Sequence, residues 1–484
     1  MHTNLAELTA SYAAEPYTAI GSNEPYGPGK DDPAALAQRS AARQEFLDQD
    51  QLQWPNLAYP LLVEDDLIAA EKAYNGILNG VIAHESQAGE APESDILYEM
   101  AARKLAEVYR HREVLRLLGH TAVGHDELAE LSRSRAANMS GELFGEPDEA
   151  SFRALLADDI RQALAAQSYP GTVKSILAYE YLALLGLTQD EAERIAAEEP
   201  ASESYELQDS TIEIIRDDWY ALFPDLESAM APFAGRDYDT TPTEAQPAFD
   251  AALGAVGLLE RGWKTRMLGG RQKADTDGPK RTITYGAKRK NFTPTSIIGT
   301  PVHESIHALR YQNGSEQAEP YRRVGLPGSL EFGEGFPVAI EQVLSGVKRV
   351  PGLKYDLQIG LLKGMHLPED IRREQSYRTV DEIMWRRAAL QETTPLDAAK
   401  VAELQSDTYD SVMRTARGNA RDNRDINYFN GGRKAALFLN ETAKLPTEIR
   451  RARLRWVLSG RFDPTNPKQA ALFGGDPAAA YLSR

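Results

Sequence analysis

The stretch that decides the fold is His303-Glu304-Ser305-Ile306-His307. On an α-helix, residues four apart lie one turn apart on the same face, so both imidazoles can reach a single ion. Where thiolates are absent, imidazole nitrogens and carboxylate oxygens are the ligands that zinc prefers. The spacing therefore predicts a helix that holds one Zn²⁺ per chain through His303 and His307.

Glu304 follows the first of these ligands directly, which brings its carboxylate within reach of a water molecule on the ion. There it would take a proton from the water and pass it to the leaving amine. We therefore predict zinc-dependent hydrolysis of a peptide bond, with Glu304 as the general base. The similar tripeptide His84-Glu85-Ser86 has no second histidine four residues after the first, so it predicts no metal site.

A zinc ion that keeps one position open for catalysis needs a third protein ligand. The best candidate is Glu334, at the start of a helix that we expect to begin within residues 331–337 and to end at Gly346. Antiparallel neighbouring helices can face one site, so this glutamate and the two histidines can meet. The weaker candidates lie elsewhere on that helix or in the loop before it: Glu331, Glu341, Glu316 and Glu319.

The chain reads as three parts joined by a linker. Residues 1–62 are predicted to be an irregular arm, because proline and glycine interrupt them. Residues 63–233 are predicted to be a helical domain, because apolar residues recur there at three- and four-residue spacing. Residues 234–248 are predicted to be a linker, and residues 249–484 a catalytic domain. The expected fold class is α+β, mostly helical.

Local signals divide the catalytic part further. Residues 281–286 are short and β-branched, which predicts a strand. It could be an edge strand that binds the backbone of a substrate, or equally a plain strand within a sheet. The motif helix is expected to start near Pro294 or Pro301 and to end at Asn313-Gly314. Later helices are expected to break at Gly418 and at Gly431-Gly432.

Composition limits the chemistry of this chain of 484 residues. It has no cysteine, which excludes disulfides, a thiol nucleophile and thiolate ligands. The net charge of −18 divides into −29 for residues 1–250 and +11 for residues 251–484, so the half with the motif could attract an acidic substrate. The acidic balance predicts no nucleic-acid partner. Since no run of 18 apolar residues and no signal peptide occur, we expect no membrane span and a cytoplasmic location.

Basic residues crowd the predicted strand and the segment after it. Arg281 and Lys288 are the two that we select as candidates for substrate binding. Either side chain could hold a terminal carboxylate or an acidic side chain of a peptide, whereas a solvated basic loop is the simpler interpretation of each.

The motif region resembles a known family. Residues 303–314 and the later run Gly333-Glu334-Gly335-Phe336-Pro337-Val338 look like the two motifs of bacterial QEGLA-motif proteins, whose eukaryotic relatives are the microtubule-associated tyrosine carboxypeptidases. Residues 46–60, 141–148 and 414–431 resemble further segments of that family in the same order. This chain has two residues between Glu304 and the second histidine where the family has three, and Gly-Glu-Gly-Phe-Pro replaces Gln-Glu-Gly-Leu-Ala.

This resemblance implies a zincin-like catalytic domain of the gluzincin type, with a small sheet beside the motif helix. It implies a carboxypeptidase that removes a C-terminal residue from a peptide or protein, and it gives Glu334 the role of third ligand. It also implies that Tyr428 donates a hydrogen bond to the developing oxyanion. Arg414 and Arg417 become candidates for holding the C-terminal carboxylate of the substrate.

Two other interpretations remain open. The same metal could serve a zinc amidohydrolase or an endopeptidase that acts on a modified peptide or natural product. Alternatively, the chain could be a non-catalytic interaction protein that binds a metal. The complete set of ligands and base disfavours that last interpretation, because a decayed site would tend to lose Glu304 first.

Overall fold

The structure is a computed structural model, and it describes residues 5–14, 41, 43–44, 64–88, 91–197, 206–269, 274–287, 291–317, 322, 325–326, 328–346, 353–365, 377–416 and 420–482. These residues are mostly helical and include one small mixed sheet, so the α+β class is confirmed. None of the helices within these ranges is long and apolar enough to cross a membrane.

Helices precede and follow the sheet within the described ranges. Their bounds are α1 (Leu5–Ala14), α2 (Glu64–Ala88), α3 (Pro92–Ala122), α4 (Asp126–Phe144), α5 (Glu149–Gln167), α6 (Val173–Leu184), α7 (Gln189–Ala196), α8 (Asp209–Leu222), α9 (Pro224–Met230), α10 (Gln246–Ala255), α11 (Ser296–Ser315), α12 (Ser329–Ser345), α13 (Leu353–Leu362), α14 (Tyr377–Gln391), α15 (Ala398–Arg414), α16 (Ile426–Ala443), α17 (Thr447–Val457), α18 (Pro467–Leu472) and α19 (Ala479–Leu482). Short 3₁₀ turns lie at Ala231–Phe233 and Thr243–Ala245.

The sheet has three strands, β1 (Lys264–Leu268), β2 (Asp275–Asp277) and β3 (Thr282–Gly286), in the order β1-β3-β2. β3 pairs in parallel with β1 and antiparallel with β2. The strand expected at residues 281–286 is therefore present, but the edge-strand alternative is wrong. Both of its hydrogen-bonding edges are filled, so it cannot accept a substrate backbone. β2 is the edge strand beside α11.

The N-terminal region differs from the irregular arm that we expected. Leu5–Ala14 forms α1, and this helix packs on α2. Leu8 explains the contact, because its side chain lies against Gly80, where a Cβ atom would come within 2.6 Å of Leu8 Cδ2. Tertiary packing of this kind stabilises short helices that would be marginal alone. Most of the remaining arm, including the resemblance at residues 46–60, lies outside the described residues.

Apolar side chains form two large clusters. In the first, Val81 and Trp219 belong to the same core as Ile306 and Phe336. In the second, residues of α5 and α6 pack with residues of α13 to α15. Both cores thus combine elements from before and after residues 234–248, which themselves contain a bridge from Thr240 to Phe292 and the start of α10. The domain boundaries stay predictions.

The motif helix α11 is longer than the sequence indicated at its C-terminal end. Pro301 lies inside it, and Asn313-Gly314 also belongs to it, so the expected stop is wrong. Two tertiary hydrogen bonds hold this last turn. Asn313 donates to the carbonyl of Leu458 at 2.8 Å, and Gln312 accepts from the indole of Trp263 at 2.9 Å. By contrast, α12 ends where expected, with Gly346 in the left-handed region at φ 68°.

α12 and α16 cross in backbone contact. A Cβ atom on Gly335 would lie 1.9 Å from the carbonyl oxygen of Gly431, and one on Gly431 would lie 1.8 Å from that of Glu331. Only glycine permits this approach. The expected helix break at Gly431-Gly432 is therefore wrong: α16 continues through both residues, and Gly431 lets its backbone contact that of α12. Gly418 lies outside the described residues. The crossing brings the start of α16 next to Glu334.

Candidate metal centre

The two histidines of α11 face each other at a spacing that suits one ion. Nε2 of His303 and Nε2 of His307 are 3.0 Å apart. Two nitrogens on a tetrahedral zinc, each about 2.0–2.1 Å from the ion, would be about 3.3 Å apart. The helix spacing thus aligns both imidazoles as expected, and the pair fits a shared ion.

Glu334 joins this pair from α12. Its Oε2 lies 3.8 Å from Nε2 of His307, and one ligand atom from each of the three residues falls within 4.8 Å of the others. Among the described residues, no other group of three histidine or carboxylate side chains comes together in this way. Two imidazoles and one carboxylate form a donor set that zinc accepts.

The weaker ligand candidates have other partners. Glu341 faces the opposite nitrogen of His303, with 3.5 Å between its Oε1 and Nδ1. A carboxylate in that position orients a ligating imidazole. Glu331 pairs with Lys434, and Glu316 accepts a hydrogen bond from Gln312 at 2.9 Å. Glu319 lies outside the described residues.

Glu304 is buried beside the pair and is held by the edge strand. The hydroxyl of Thr276 in β2 donates to its Oε2 at 2.7 Å. Burial raises the pKa of Glu304 to about 7, although the charge of His303 and the bond from Thr276 oppose the rise. The nearby carboxylates of Glu334 and Asp275 raise the pKa further. Burial and the neighbouring carboxylates therefore make this carboxyl group hold its proton more firmly than an exposed glutamate does.

The surroundings of His307 keep its imidazole neutral. Burial lowers its pKa well below the ordinary value, and the positive charges of His303, Arg461 and Arg310 lower it further. A neutral imidazole has the lone pair that metal coordination needs. The electrostatics of the site thus favour the form of His307 that can bind an ion without first losing a proton.

Tyr428 lies at the start of α16, beside Glu334. The negative charge of Glu334 raises the pKa of Tyr428, and burial and Asp425 raise it further. The hydroxyl therefore stays protonated. It makes no hydrogen bond to any of the residues that the structure describes, so it is available as a donor.

Arg414 lies near this tyrosine but is already engaged. Its guanidinium donates two hydrogen bonds to Asp425, at 3.0 and 2.7 Å, and stacks over the ring of Tyr355. The rings of Tyr355 and Tyr428 are 6.3 Å apart. Arg414 thus fixes Asp425 and Tyr355 beside Tyr428.

Of the other basic candidates, only Arg281 lies within the described residues. Arg281 is exposed in the turn before β3, at φ 47°, and donates to the carbonyl of Arg261 at 3.0 Å. Lys288 and Arg417 both lie outside the described residues. The hydrogen bond of the Arg281 side chain goes to the backbone of Arg261 and not to a candidate ligand.

Two arginines that the sequence did not single out belong to the site. Arg310, one turn after His307, is buried and donates to the carbonyls of Gly460 and Phe462. The residue between those two carbonyls is Arg461, whose charge acts on His307. The helical spacing from His303 and His307 could have indicated Arg310, whereas no local pattern points to Arg461.

Comparisons with known proteins do not assign the chain. No family model matches it, and neither a curated protein nor a solved structure does. The resemblance of the motif region to QEGLA-motif proteins therefore stays a prediction.

Proposed function

We propose that this protein is a zinc-dependent peptidase of the gluzincin type and that it acts as a carboxypeptidase. One observation carries the proposal: Glu334 of α12 converges with His303 and His307 of α11, and Glu304 lies beside the two histidines on α11. A zinc ion held there would polarise the scissile carbonyl and lower the pKa of a water molecule towards neutrality. The absence of cysteine agrees with a ligand set of histidine and carboxylate.

Glu304 acts as the general base in this proposal. Its carboxylate accepts the proton of the attacking water and returns it to the leaving amine. The hydrogen bond from Thr276 fixes the orientation of the carboxylate, so that the accepting oxygen keeps a constant position. Glu341, whose Oε1 lies 3.5 Å from Nδ1 of His303, is placed to orient that imidazole when it binds an ion.

Tyr428 supplies the donor for the oxyanion. Its protonated hydroxyl lies beside Glu334, on the other helix of the glycine crossing, and is not occupied by another described residue. A hydrogen bond from a preorganised donor to the developing negative charge stabilises the transition state. This assignment agrees with the role that the family resemblance implies.

The substrate in this proposal is the C-terminus of a peptide or protein. Removal of the terminal residue is what the family resemblance implies, and the positive balance of residues 251–484 favours an acidic substrate. β2 ends the sheet next to Glu304 and offers an edge along which an extended peptide could bind. The cytoplasmic location and the lack of a nucleic-acid partner stay predictions.

The test uses the full chain loaded with zinc, a mixed peptide library and mass spectrometry. We expect release of single C-terminal residues. Glu304→Gln should lower the rate by at least about 10³-fold and keep the zinc, because only the base is lost. Glu85→Gln, in the other His-Glu-Ser tripeptide, is the matched control and should leave the rate unchanged. Internal cleavage would overturn the carboxypeptidase assignment, and a fully active Glu304→Gln variant would overturn the peptidase.

A further inference from the structure

Arg461 lies on a segment that is tied to the metal helix. Nε of Arg310 donates to the carbonyl of Gly460 at 2.9 Å, and another nitrogen of the same guanidinium donates to that of Phe462 at 2.5 Å. These two carbonyls flank Arg461 on either side. Because Arg310 is buried and belongs to α11, the backbone of Arg461 has a fixed position relative to His307.

Arg322 and Leu326, which precede α12 in the chain, hold Arg461 from another direction. Its backbone N–H donates to the carbonyl of Arg322 at 3.1 Å, and its carbonyl accepts from the N–H of Leu326 at 3.1 Å. Gly325 lies against the side chain, since a Cβ atom built there would be 3.7 Å from Nε of Arg461. The residue is thus fixed between the helix of the two histidines and the described residues that precede the helix of Glu334.

The guanidinium of Arg461 has no hydrogen bond or ion pair with any residue in the described part of the chain. It is nevertheless partly buried. The guanidinium of Arg310 that holds the backbone of Arg461 also lies against the residue before Glu334, since a Cβ atom built on Gly333 would be 3.6 Å from Nη1 of Arg310. A partly buried guanidinium that makes no hydrogen bond or ion pair within the described residues is costly, which points to an anion that arrives with the ligand.

The neighbouring cations differ from Arg461 in this respect. Lys434 pairs with Glu331 and Asp463, and Arg414 pairs with Asp425. Arg310 is directed at backbone carbonyls. Arg461 is therefore the one of these four basic side chains that is free to bind a negative group beside Glu334.

We propose that Arg461 binds the C-terminal carboxylate of the substrate. The inference rests on the proposed function, since it assigns the end of the peptide to one side chain of the same site. A guanidinium matches the two oxygens of a carboxylate with two parallel hydrogen bonds. A charged partner fixed beside the metal ligands would select the last peptide bond of a chain, because internal residues carry no carboxylate on their backbone.

The experiment compares N-acetyl-tetraalanine that has a free carboxylate with the same peptide as its C-terminal amide. Binding to the zinc-loaded full chain is measured by calorimetry in the Glu304→Gln background, so that nothing is hydrolysed. The free acid should bind about 10- to 100-fold more tightly than the amide, the range for a hydrogen bond to a charged group. Arg461→Met, which keeps an apolar stem but removes the charge, should abolish this preference.

Two further variants control the result. Arg461→Lys should restore part of the preference, because a single charge remains without the two-pronged geometry. Arg455→Met removes an exposed arginine of α17 and should change nothing. Zinc content and melting temperature are compared for every variant. If Arg461→Met does not fold, the weakened preference of Arg461→Lys against the Arg455→Met control decides the question.

The failures of the two proposals are distinguishable. Equal binding of acid and amide, no binding of the acid, or an acid preference that persists in Arg461→Met would each overturn the assignment of Arg461 and leave the peptidase intact. A wild-type protein that cleaves no peptide would overturn the peptidase, while the calorimetric comparison would still report on Arg461.

Discussion

At the residue scale, Glu304 and Tyr428 have complementary roles, one accepting a proton and the other donating a hydrogen bond. Glu304 is held by Thr276 from the edge strand, whereas the hydroxyl of Tyr428 has no partner within the described ranges. A carboxylate that is held in place suits a general base. A hydroxyl that has no partner among the described residues suits a donor to the oxyanion.

Tyr428→Phe should lower kcat by about 10²-fold with little change in KM, because the hydroxyl acts on charge that develops only in the transition state. Steady-state kinetics on the best-cleaved peptide measures this. Zinc content should stay at the wild-type value. Tyr481→Phe removes the hydroxyl of an exposed tyrosine and serves as the control. An unchanged kcat in Tyr428→Phe would exclude the oxyanion role.

The sequence predicted the centre of the site but not its surroundings. His303, His307 and Glu304 follow from the spacing on one helix, and Glu334 follows from the next helix along the chain. Thr276 and Arg461 come from β2 and from the segment after α17. Contacts over such separations in sequence depend on the tertiary fold, which no local periodicity encodes.

At the element scale, the crossing of α12 and α16 decides whether Glu334 and Tyr428 meet. The two backbones touch at Gly335 and Gly431, with no space for a Cβ atom on either. The sequence indicated the end of α12 correctly, and the helix begins at Ser329, two residues before the expected range. The sequence could not indicate the crossing, since a glycine needed for packing inside a helix has the same local appearance as a helix break.

Gly335→Ala should therefore destabilise the protein by about 3 kcal/mol or more, since the added methyl group overlaps backbone atoms that cannot rotate away. Urea denaturation of the full chain gives the free energy of unfolding. Gly119→Ala in α3 is the matched control: its Cβ would meet nothing within 4 Å, and alanine should stabilise that helix by about 0.5–1 kcal/mol. A Gly335→Ala variant as stable as wild type would contradict the close crossing.

At the scale of the whole molecule, the packing of α13 against neighbouring helices buries a carboxyl group outside the metal site. Asp356 is fully buried, and neither of its oxygens has a hydrogen-bond partner in the described part of the chain. Burial raises its pKa to about 7, although the charge of Arg433 opposes the rise. The folded protein therefore binds a proton there that the unfolded chain has already released.

This difference sets the direction of a pH effect on stability. Between about pH 4 and pH 7 the folded state holds more protons at Asp356, so the free energy of unfolding should fall as pH rises through that window. Asp356→Asn should remove this contribution and be more stable than wild type at pH 8, by up to about 4 kcal/mol. Urea titrations at pH 4.5 and pH 8 measure the difference.

Asp237→Asn, at an exposed position, is the control and should match wild type at both pH values. The prediction fails if Asp356→Asn loses stability at pH 8. The sequence alone could not have indicated this group, because Asp356 lies in a helix of ordinary composition and its burial results from the packing of α13 against other elements.

The central claim is that His303, His307 and Glu334 hold a zinc ion, and anomalous diffraction tests it most directly. Data collected above and below the zinc absorption edge, on crystals of the full chain, locate zinc and no other metal. We predict one peak per chain that lies about 2.0–2.2 Å from a ligand atom of each of the three residues. Crystals grown with equimolar zinc that show no peak there, or a peak at other side chains, would contradict the account.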